Sequence, residues 1–173
     1  MRIWSWPEDR RSIERFFETS NRTPSHIEDA VRRIIDEVRR GGDRALAKLT
    51  ARFDGAQVAP GDFDVPPERL REAWIATPQP LREALQTARR RIEAFHKRQQ
   101  LRGWTLNEAG FGRIEQRVLP LGRVGVYAPG FKAAYPSTVL MDILPARVAG
   151  VREIILATPP GRGGWPDPRT LAA

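Results

Sequence analysis

Residues 122–158 read GRVGVYAPGFKAAYPSTVLMDILPARVAGVREIILAT and carry the strongest structural pattern in the chain. They predict a strand over 123–128, a helix over 137–148 and a strand over 152–158. The apolar run at 154–156 in the last strand is typical of a strand buried on both faces. Because a helix joins the two strands, the segment predicts a βαβ unit with parallel strands and a right-handed connection.

The predicted helix of this unit has two notable residues. Ser137 is placed to cap its N-terminus. Pro145 lies inside it and should kink or shorten it, because proline lacks an amide donor and crowds the preceding turn.

The chain before this unit predicts a helical array from its start to about Leu101. The second helix has two possible starts, Thr23 or Ser25, and Gly41-Gly42 should end it. The next helix should pack against it as a hairpin, with Leu46, Leu49 and Phe53 inward. The longest helix, at about 80–100, has a one-sided apolar stripe made of Leu81, Leu85, Ala88, Ile92 and Phe95.

The pattern changes after Trp104, where charged and apolar side chains alternate over 112–119 and predict a strand with one wet face. Beyond Thr158 a loop rich in proline and glycine leads to the first turn of another helix. Two or three strands do not complete a parallel sheet. The predicted fold is therefore α/β, with a helical N-terminal region at 1–103 and the start of an incomplete Rossmann-like parallel-sheet domain at 104–173.

Composition excludes several kinds of protein and site. No run of 18 apolar residues is present, so membrane insertion is not indicated. The first 30 residues contain charged residues where a signal peptide would have its apolar core, so export is not indicated either. The lack of cysteine excludes disulfides and thiolate metal sites, and the cytoplasm is the default location. The two histidines, His26 and His96, lie far apart, so we expect no complete zinc site in this chain.

The chain is strongly basic, with a net charge of +8. All but three of the 29 basic residues are arginine, the lysines being Lys48, Lys97 and Lys132. Such a charge is compatible with a basic helical nucleic-acid-binding protein, whose binding to any duplex would depend steeply on salt. Because acidic residues are interleaved with the arginines, we favour solvated faces of amphipathic helices and regard nucleic acid as an unlikely partner.

The segment 122–158 resembles the histidinol dehydrogenase family. The shared motifs are VGVYAPG at 124–130, YPS at 135–137, VLM at 139–141, PA at 145–146 and AG at 149–150, closed by PP at 159–160. Upstream the likeness is looser but collinear from about Thr23, through a Gly-Gly-Asp helix end, a Phe-Asp-Gly turn and the long helix. On this resemblance, our hypothesis is that the chain is the N-terminal part of such an enzyme.

The resemblance implies an activity and its cofactors. Family members oxidise L-histidinol to L-histidine in two NAD-dependent hydride transfers, as homodimers that contain zinc. The family's zinc ligands and its Glu-His acid and base pair are expected downstream of residues 1–173, so no catalytic or metal-binding residue is assigned in this chain. Without them the chain alone should not turn over substrate, and a catalytically dead partner of a full-length subunit is an alternative.

Tyr127 matches the tyrosine that contacts the dinucleotide in the family and is our one candidate cofactor-binding residue. It ends a strand at the carboxyl edge of a parallel sheet, where ligands of α/β proteins usually bind, although no GxGxxG fingerprint is present. Alternatively, it is a strand-end aromatic that packs over the turn. Phe131, followed by Lys132, replaces the second glycine of the family's Pro-Gly-Gly turn, which argues against close approach of a ligand there.

Other candidates carry less weight. His96 on the long helix and His26 in a first helical turn are interpreted as surface or structural residues. Asp142 is interpreted as a solvated carboxylate, because no partner for acid and base catalysis is visible. Glu115 departs from the family, which usually has glycine before Gln116.

Overall fold

The structure is a computed structural model that describes residues 3–20, 24–130, 133–161 and 163–173, with only the backbone of 18–20. In chain order, the elements of these residues are α1 (Arg10–Ser20), α2 (Ser25–Phe53), α3 (Pro67–Ala76), α4 (Gln79–Lys97), β1 (Trp104–Glu108), β2 (Gly112–Gln116), β3 (Arg123–Tyr127), α5 (Pro136–Val148), β4 (Glu153–Ala157) and α6 (Pro168–Leu171). The predicted α/β class is confirmed. No helix of the described ranges combines the length and apolar character needed to cross a membrane.

The chain divides into two compact units, Met1–Lys48 and Leu49–Ala173. The second unit contains α3 to α6 and all four strands of the described residues. The domain boundary that composition places between residues 103 and 104 stays a prediction.

A sharp bend interrupts α2 at Gly42, whose φ of 54° and ψ of −143° lie outside the helical region. Lys48 Nζ and Glu37 Oε1 lie 3.6 Å apart across this bend. In a straight helix their backbones would be separated by about 16 Å along the axis, too far for the two side chains to span. The predicted break at Gly41-Gly42 is confirmed, and the chain up to Lys48 turns back toward Glu37. The helix begins at Ser25, while Thr23 lies outside the described residues.

The core of the second unit is the contact between α4 and α5. Leu85 of α4 packs with Leu140 and Leu144 of α5, and partly buried apolar residues surround them: Trp74, Leu81, Ala88, Ile92 and Ala173. The predicted stripe of α4 thus faces the core. Its last member does not, because Phe95 is 60% exposed.

The strands β3 and β4 pair in parallel on either side of α5, which confirms the predicted βαβ unit. Val124, Val126, Ile154 and Leu156 form the half-buried face, and α5 contacts both strands. The opposite face is open, so the prediction of a fully buried last strand was wrong: Ile155 is 48% exposed. Arg123 and Glu153 form an ion pair on this open face, at the start of the two strands.

The details of α5 correct the predicted cap and exclude one of the two effects predicted for Pro145. The capping position is Tyr135, not Ser137, and Pro136 occupies the first helical turn. A fixed φ and a missing amide donor suit that position, where no intrahelical partner is available. The helix continues past Pro145 to Val148, so the proline does not shorten it.

The strands β1 and β2 form an antiparallel hairpin whose ten residues are all exposed. The strand predicted over 112–119 ends at Gln116, and the prediction of a single wet face was wrong because both faces are wet. The strand Trp104–Glu108 was not predicted. Its partner strand is joined to it by a tight turn with Gly110 and Gly112 at positive φ.

The core position Leu140 provides a test of the packing. Leu140→Ala should lower the free energy of unfolding by about 2–5 kcal/mol, because the side chain is 4% exposed and its removal leaves a cavity against Leu85. Urea unfolding followed by circular dichroism measures the change. Met141→Ala is the matched control on the same helix turn, since Met141 is 61% exposed. Equal losses for the two variants would contradict this assignment of the core.

Candidate functional site

The carboxyl ends of β3 and β4 meet at one edge of the parallel pair. Tyr127 and Ala157 are partners in the register, and the Ala128 amide extends the ladder by donating to the Ala157 carbonyl over 3.0 Å. Ala128 is fully buried, which anchors the chain at the point where it leaves β3. This edge is where parallel α/β sheets usually bind ligands.

The turns that follow the two strands lie against each other. A Cβ atom added at Gly130 would stand 3.4 Å from Pro159 Cδ and 3.5 Å from Thr158 Oγ1. These are ordinary van der Waals distances, so the two turns are in contact range around Gly130. Phe131 and Lys132 lie outside the described residues, and the effect of the replaced glycine stays a prediction.

Tyr127 points from the end of β3 on the open face of the strand pair. Its side chain belongs to the face that also carries Ile155, and the residue is 63% exposed. The backbone is held in the ladder while most of the aromatic surface is accessible. Such an arrangement is suited to stacking against a planar ligand, and it covers little of the ring with protein.

A cavity of about 340 Å³ opens beside the same turns. Its lining comes from the loops after β3 and β4 and from the start of α6, and includes Gly130, Thr158, Pro159, Trp165, Asp167, Arg169 and Thr170. The Trp165 carbonyl accepts a hydrogen bond of 2.8 Å from the Gly161 amide, and the Arg69 guanidinium lies 4.7 Å from the indole centroid. The loop is therefore fixed at both its backbone and its aromatic ring.

Asp167 and Arg169 are the charged pair of this cavity. The Asp167 carboxylate accepts from the Arg169 backbone amide at 2.8 Å, capping α6, and its second oxygen accepts from the guanidinium at 2.8 Å. The side-chain hydrogen bond from Arg169 lowers the pKa of Asp167, and the amide bond acts in the same direction against partial desolvation. The carboxylate is thus an ionised structural cap, unsuited to exchange a proton near neutral pH.

A larger cavity, of about 720 Å³, lies at the opposite, amino edge of the strand pair. Residues before β3 and β4 line it, together with the ends of α4 and α5, and its surface is mainly apolar. His96 borders this cavity, and its Nδ1 lies 2.6 Å from Gln99 Oε1. Since parallel sheets place ligand sites at the carboxyl edge, we assign the candidate site to the smaller cavity and Tyr127.

The other sequence candidates are not brought together with Tyr127. His96 belongs to the amino-edge cavity, Asp142 is exposed on α5, and His26 is exposed in the first unit. Among the described residues, no group of three or more histidine, aspartate or glutamate side chains could hold a metal ion. The described side chains of the carboxyl edge therefore do not form a metal centre.

Sequence reasoning missed Trp165, Asp167 and Arg169 as parts of this edge. One local signal was available, because Asp167 before Pro168 is an N-cap residue followed by proline at the first helical position. The position of Trp165 depends on a contact with distant Arg69 and has no local signal.

The pair at the start of α6 predicts a pH-dependent contribution to stability. Asp167→Ala should lower the free energy of unfolding at neutral pH by about 0.5–2 kcal/mol, because α6 loses its cap. Asp167→Asn keeps an amide cap and loses only the charge pair. Because the pKa of Asp167 is lowered in the folded state, the charge contribution is complete above the carboxyl's unfolded value of about 4 and disappears as pH falls through the folded value.

Urea unfolding of the wild type, the Asn variant and the Ala variant between neutral and acidic pH measures this. The difference between wild type and Asp167→Asn should shrink on acidification. A difference that stays constant with pH would refute the charge pair. Asp142→Ala, at an exposed carboxylate on α5, serves as the control.

Comparison with known proteins gives a consistent result. A family model described as histidinol dehydrogenase matches residues 17–173. A histidinol dehydrogenase of Prochlorococcus marinus is 45% identical over 156 residues, which cover 90% of this chain and 35% of the relative. That of Aquifex aeolicus is 45% identical over 146 residues, covering 84% of this chain and 33% of the relative.

A solved structure shows the same similarity in three dimensions. The crystal structure of histidinol dehydrogenase from Elizabethkingia anophelis has a TM-score of 0.78 and 30% sequence identity, covering 87% of this chain and 34% of that one. The chain thus spans about a third of the length of the relatives that it matches.

Proposed function

The chain belongs to the histidinol dehydrogenase family, and we propose that it forms the N-terminal part of an enzyme that oxidises L-histidinol to L-histidine with NAD. The observation that carries this proposal is the folding of the shared motifs into one unit. The motifs at 124–130 and 135–141 lie in β3, its turn and α5, and they present Tyr127 at the carboxyl edge. Histidine biosynthesis is the corresponding pathway.

We propose that residues 104–173 begin a Rossmann-like domain. The parallel pair β3 and β4 has α5 on one face and no helix on the other in the described residues. Parallel sheets in α/β proteins are covered on both faces and contain more strands. Further strands and a helix over Ile155 would complete such a sheet.

Tyr127 is our proposed contact for NAD. Its backbone is held by the parallel ladder, and its ring is exposed at the carboxyl edge, beside the turn that contains Gly130. These properties fit a planar ring of a dinucleotide, which binds by stacking and desolvation. NAD would accept a hydride in each of the two oxidation steps, while Tyr127 would bind and orient it.

The described residues do not fit a zinc ion, as no suitable group of three ligands is present among them. We propose that the zinc ligands, and the Glu-His pair that acts as acid and base, lie downstream of residue 173 in a longer polypeptide. No step of the reaction is therefore assigned to side chains of this chain. A homodimer in the cytoplasm, acting on the small-molecule substrate L-histidinol, completes the proposal.

The intact polypeptide provides the first test. An antibody against the helical region should detect, in the natural source, a species much heavier than the 19.6 kDa of this chain, because the relatives are about three times as long as the matched segment. The purified species should then reduce NAD in the presence of L-histidinol and zinc, followed by absorbance of NADH. A species of 19.6 kDa would reject the enzyme and favour the dead partner subunit.

A second test concerns Tyr127. Calorimetric titration of the full chain with NAD should give measurable binding, and Tyr127→Ala should weaken it about tenfold, since stacking of a base on an aromatic side chain contributes about 1–3 kcal/mol. Phe95→Ala is the matched control, as Phe95 is exposed to nearly the same degree and lies on α4. Equal affinity of wild type and Tyr127→Ala would reject this role.

A further inference from the structure

The hairpin of β1 and β2 is exposed on both faces and at both edges. All ten residues of its strands are exposed, and the two strands pair only with each other in the described part of the chain. An isolated two-stranded hairpin is marginally stable in water, and each unpaired edge is a template for another strand. The hairpin therefore offers backbone donors and acceptors to a further strand.

The residues of the hairpin are sorted between two faces. In the register, Leu106 is opposite Ile114 and Trp104 is opposite Gln116, so these side chains share one face. The other face carries Thr105 opposite Glu115 and Asn107 opposite Arg113. The two charged side chains of β2 thus face only neutral partners on β1. Glu115 pairs with two arginines of its own chain segment, Arg113 at 3.2 Å and Arg117 at 3.7 Å, and all three side chains remain largely exposed.

The sequence of β2 is complementary to itself. If two copies of β2 pair antiparallel about a two-fold axis at Ile114, each Arg113 stands directly opposite the Glu115 of the other copy. The two Ile114 side chains then face each other, and Gly112 faces Gln116. Directly opposed residues in such a pair have Cβ atoms about 4.5–5.5 Å apart, close enough for an ion pair. A self-complementary patch is what a two-fold dimer requires.

We propose that β2 is an interface strand through which a second copy of this chain pairs, giving a four-stranded antiparallel sheet across a two-fold axis at Ile114. The proposal deepens the homodimer of the proposed function and rests on it. The symmetric pairing contains two Arg113 to Glu115 contacts between subunits, one on each side of the axis.

The other edge of the hairpin fits a second copy less well. A two-fold axis at Leu106 would place Thr105 opposite Asn107 and Trp104 opposite Glu108, with no pair of opposite charges. On β2, by contrast, the pairing places the exposed Glu115 opposite a second Arg113, in addition to its ion pairs with Arg113 and Arg117 of its own chain. A glutamate that faces Arg113 of a partner selects this register over shifts by one or two residues.

Charge reversal tests the pairing. Arg113→Glu and Glu115→Arg each turn both contacts between subunits from attraction into repulsion, so each variant should dimerise about tenfold more weakly than wild type. The double variant R113E/E115R restores both contacts and should dimerise like wild type. Sedimentation equilibrium of the full chain over a range of concentrations, at low ionic strength where charges are least screened, measures the dissociation constants.

Mixing the two single variants separates pairing between subunits from effects within one strand. In a mixed dimer, positions 113 and 115 are both acidic in the Arg113→Glu subunit and both basic in the Glu115→Arg subunit, so both contacts between subunits are complementary. An equimolar mixture should therefore recover the wild-type dissociation constant. Circular dichroism of each variant checks that the fold is kept, as expected for substitutions at exposed strand positions.

Arg71→Glu, which reverses the charge of an exposed ion pair with Glu68 on α3, is the matched control and should leave the dissociation constant unchanged. A monomeric wild type would overturn both the proposed homodimer and this interface, whereas a dimer that both single variants leave unchanged would overturn the interface alone. So would a mixture as weak as its two components. None of these outcomes concerns NAD binding by Tyr127 or oxidation of histidinol, so failure of the interface and failure of the enzyme are distinguishable.

Discussion

The contact of α4 with α5 is the interaction on which the second unit depends. Leu85 inserts against Leu140 and Leu144, and α5 in turn contacts both strands of the parallel pair. Because α5 connects β3 to β4, its position on α4 determines where the carboxyl ends of the strands lie. The candidate site is thus supported by a small apolar cluster rather than by charged contacts.

The many arginines contribute differently. Their ion pairs are exposed and mostly local on helices, such as Arg89 with Glu93, whose hydrogen bond lowers the pKa of Glu93. Such surface pairs add little stability, since both partners remain hydrated. They mainly make the surface charged and hydrated. This agrees with the interpretation of the basic composition as solvated faces of helices.

Two of the exposed apolar surfaces of the second unit lie on strands. One is the open face of β3 and β4 around Ile155 and Tyr127, and the other is the hairpin around Leu106 and Ile114. A parallel pair with one bare face and a hairpin with two bare faces are both structures that need a partner. The relatives are about three times as long as the matched segment, and the downstream part of the proposed longer polypeptide would be one source of such a partner.

Local pattern was sufficient for much of this fold. Apolar residues spaced three and four apart predicted α4, and short apolar runs predicted β3 and β4. The glycine pair predicted the bend at Gly42, and the motifs at 124–141 pointed to the family and to Tyr127. Burial could not be predicted in the same way. Whether Ile155 or Phe95 is covered depends on elements far away in sequence. The spacing of apolar residues within a segment is the same whether or not another segment packs against them. The loop around Trp165 likewise depends on Arg69, nearly a hundred positions earlier. Periodicity reports the intrinsic preference of a segment, whereas the accessibility of a site is a property of contacts between segments.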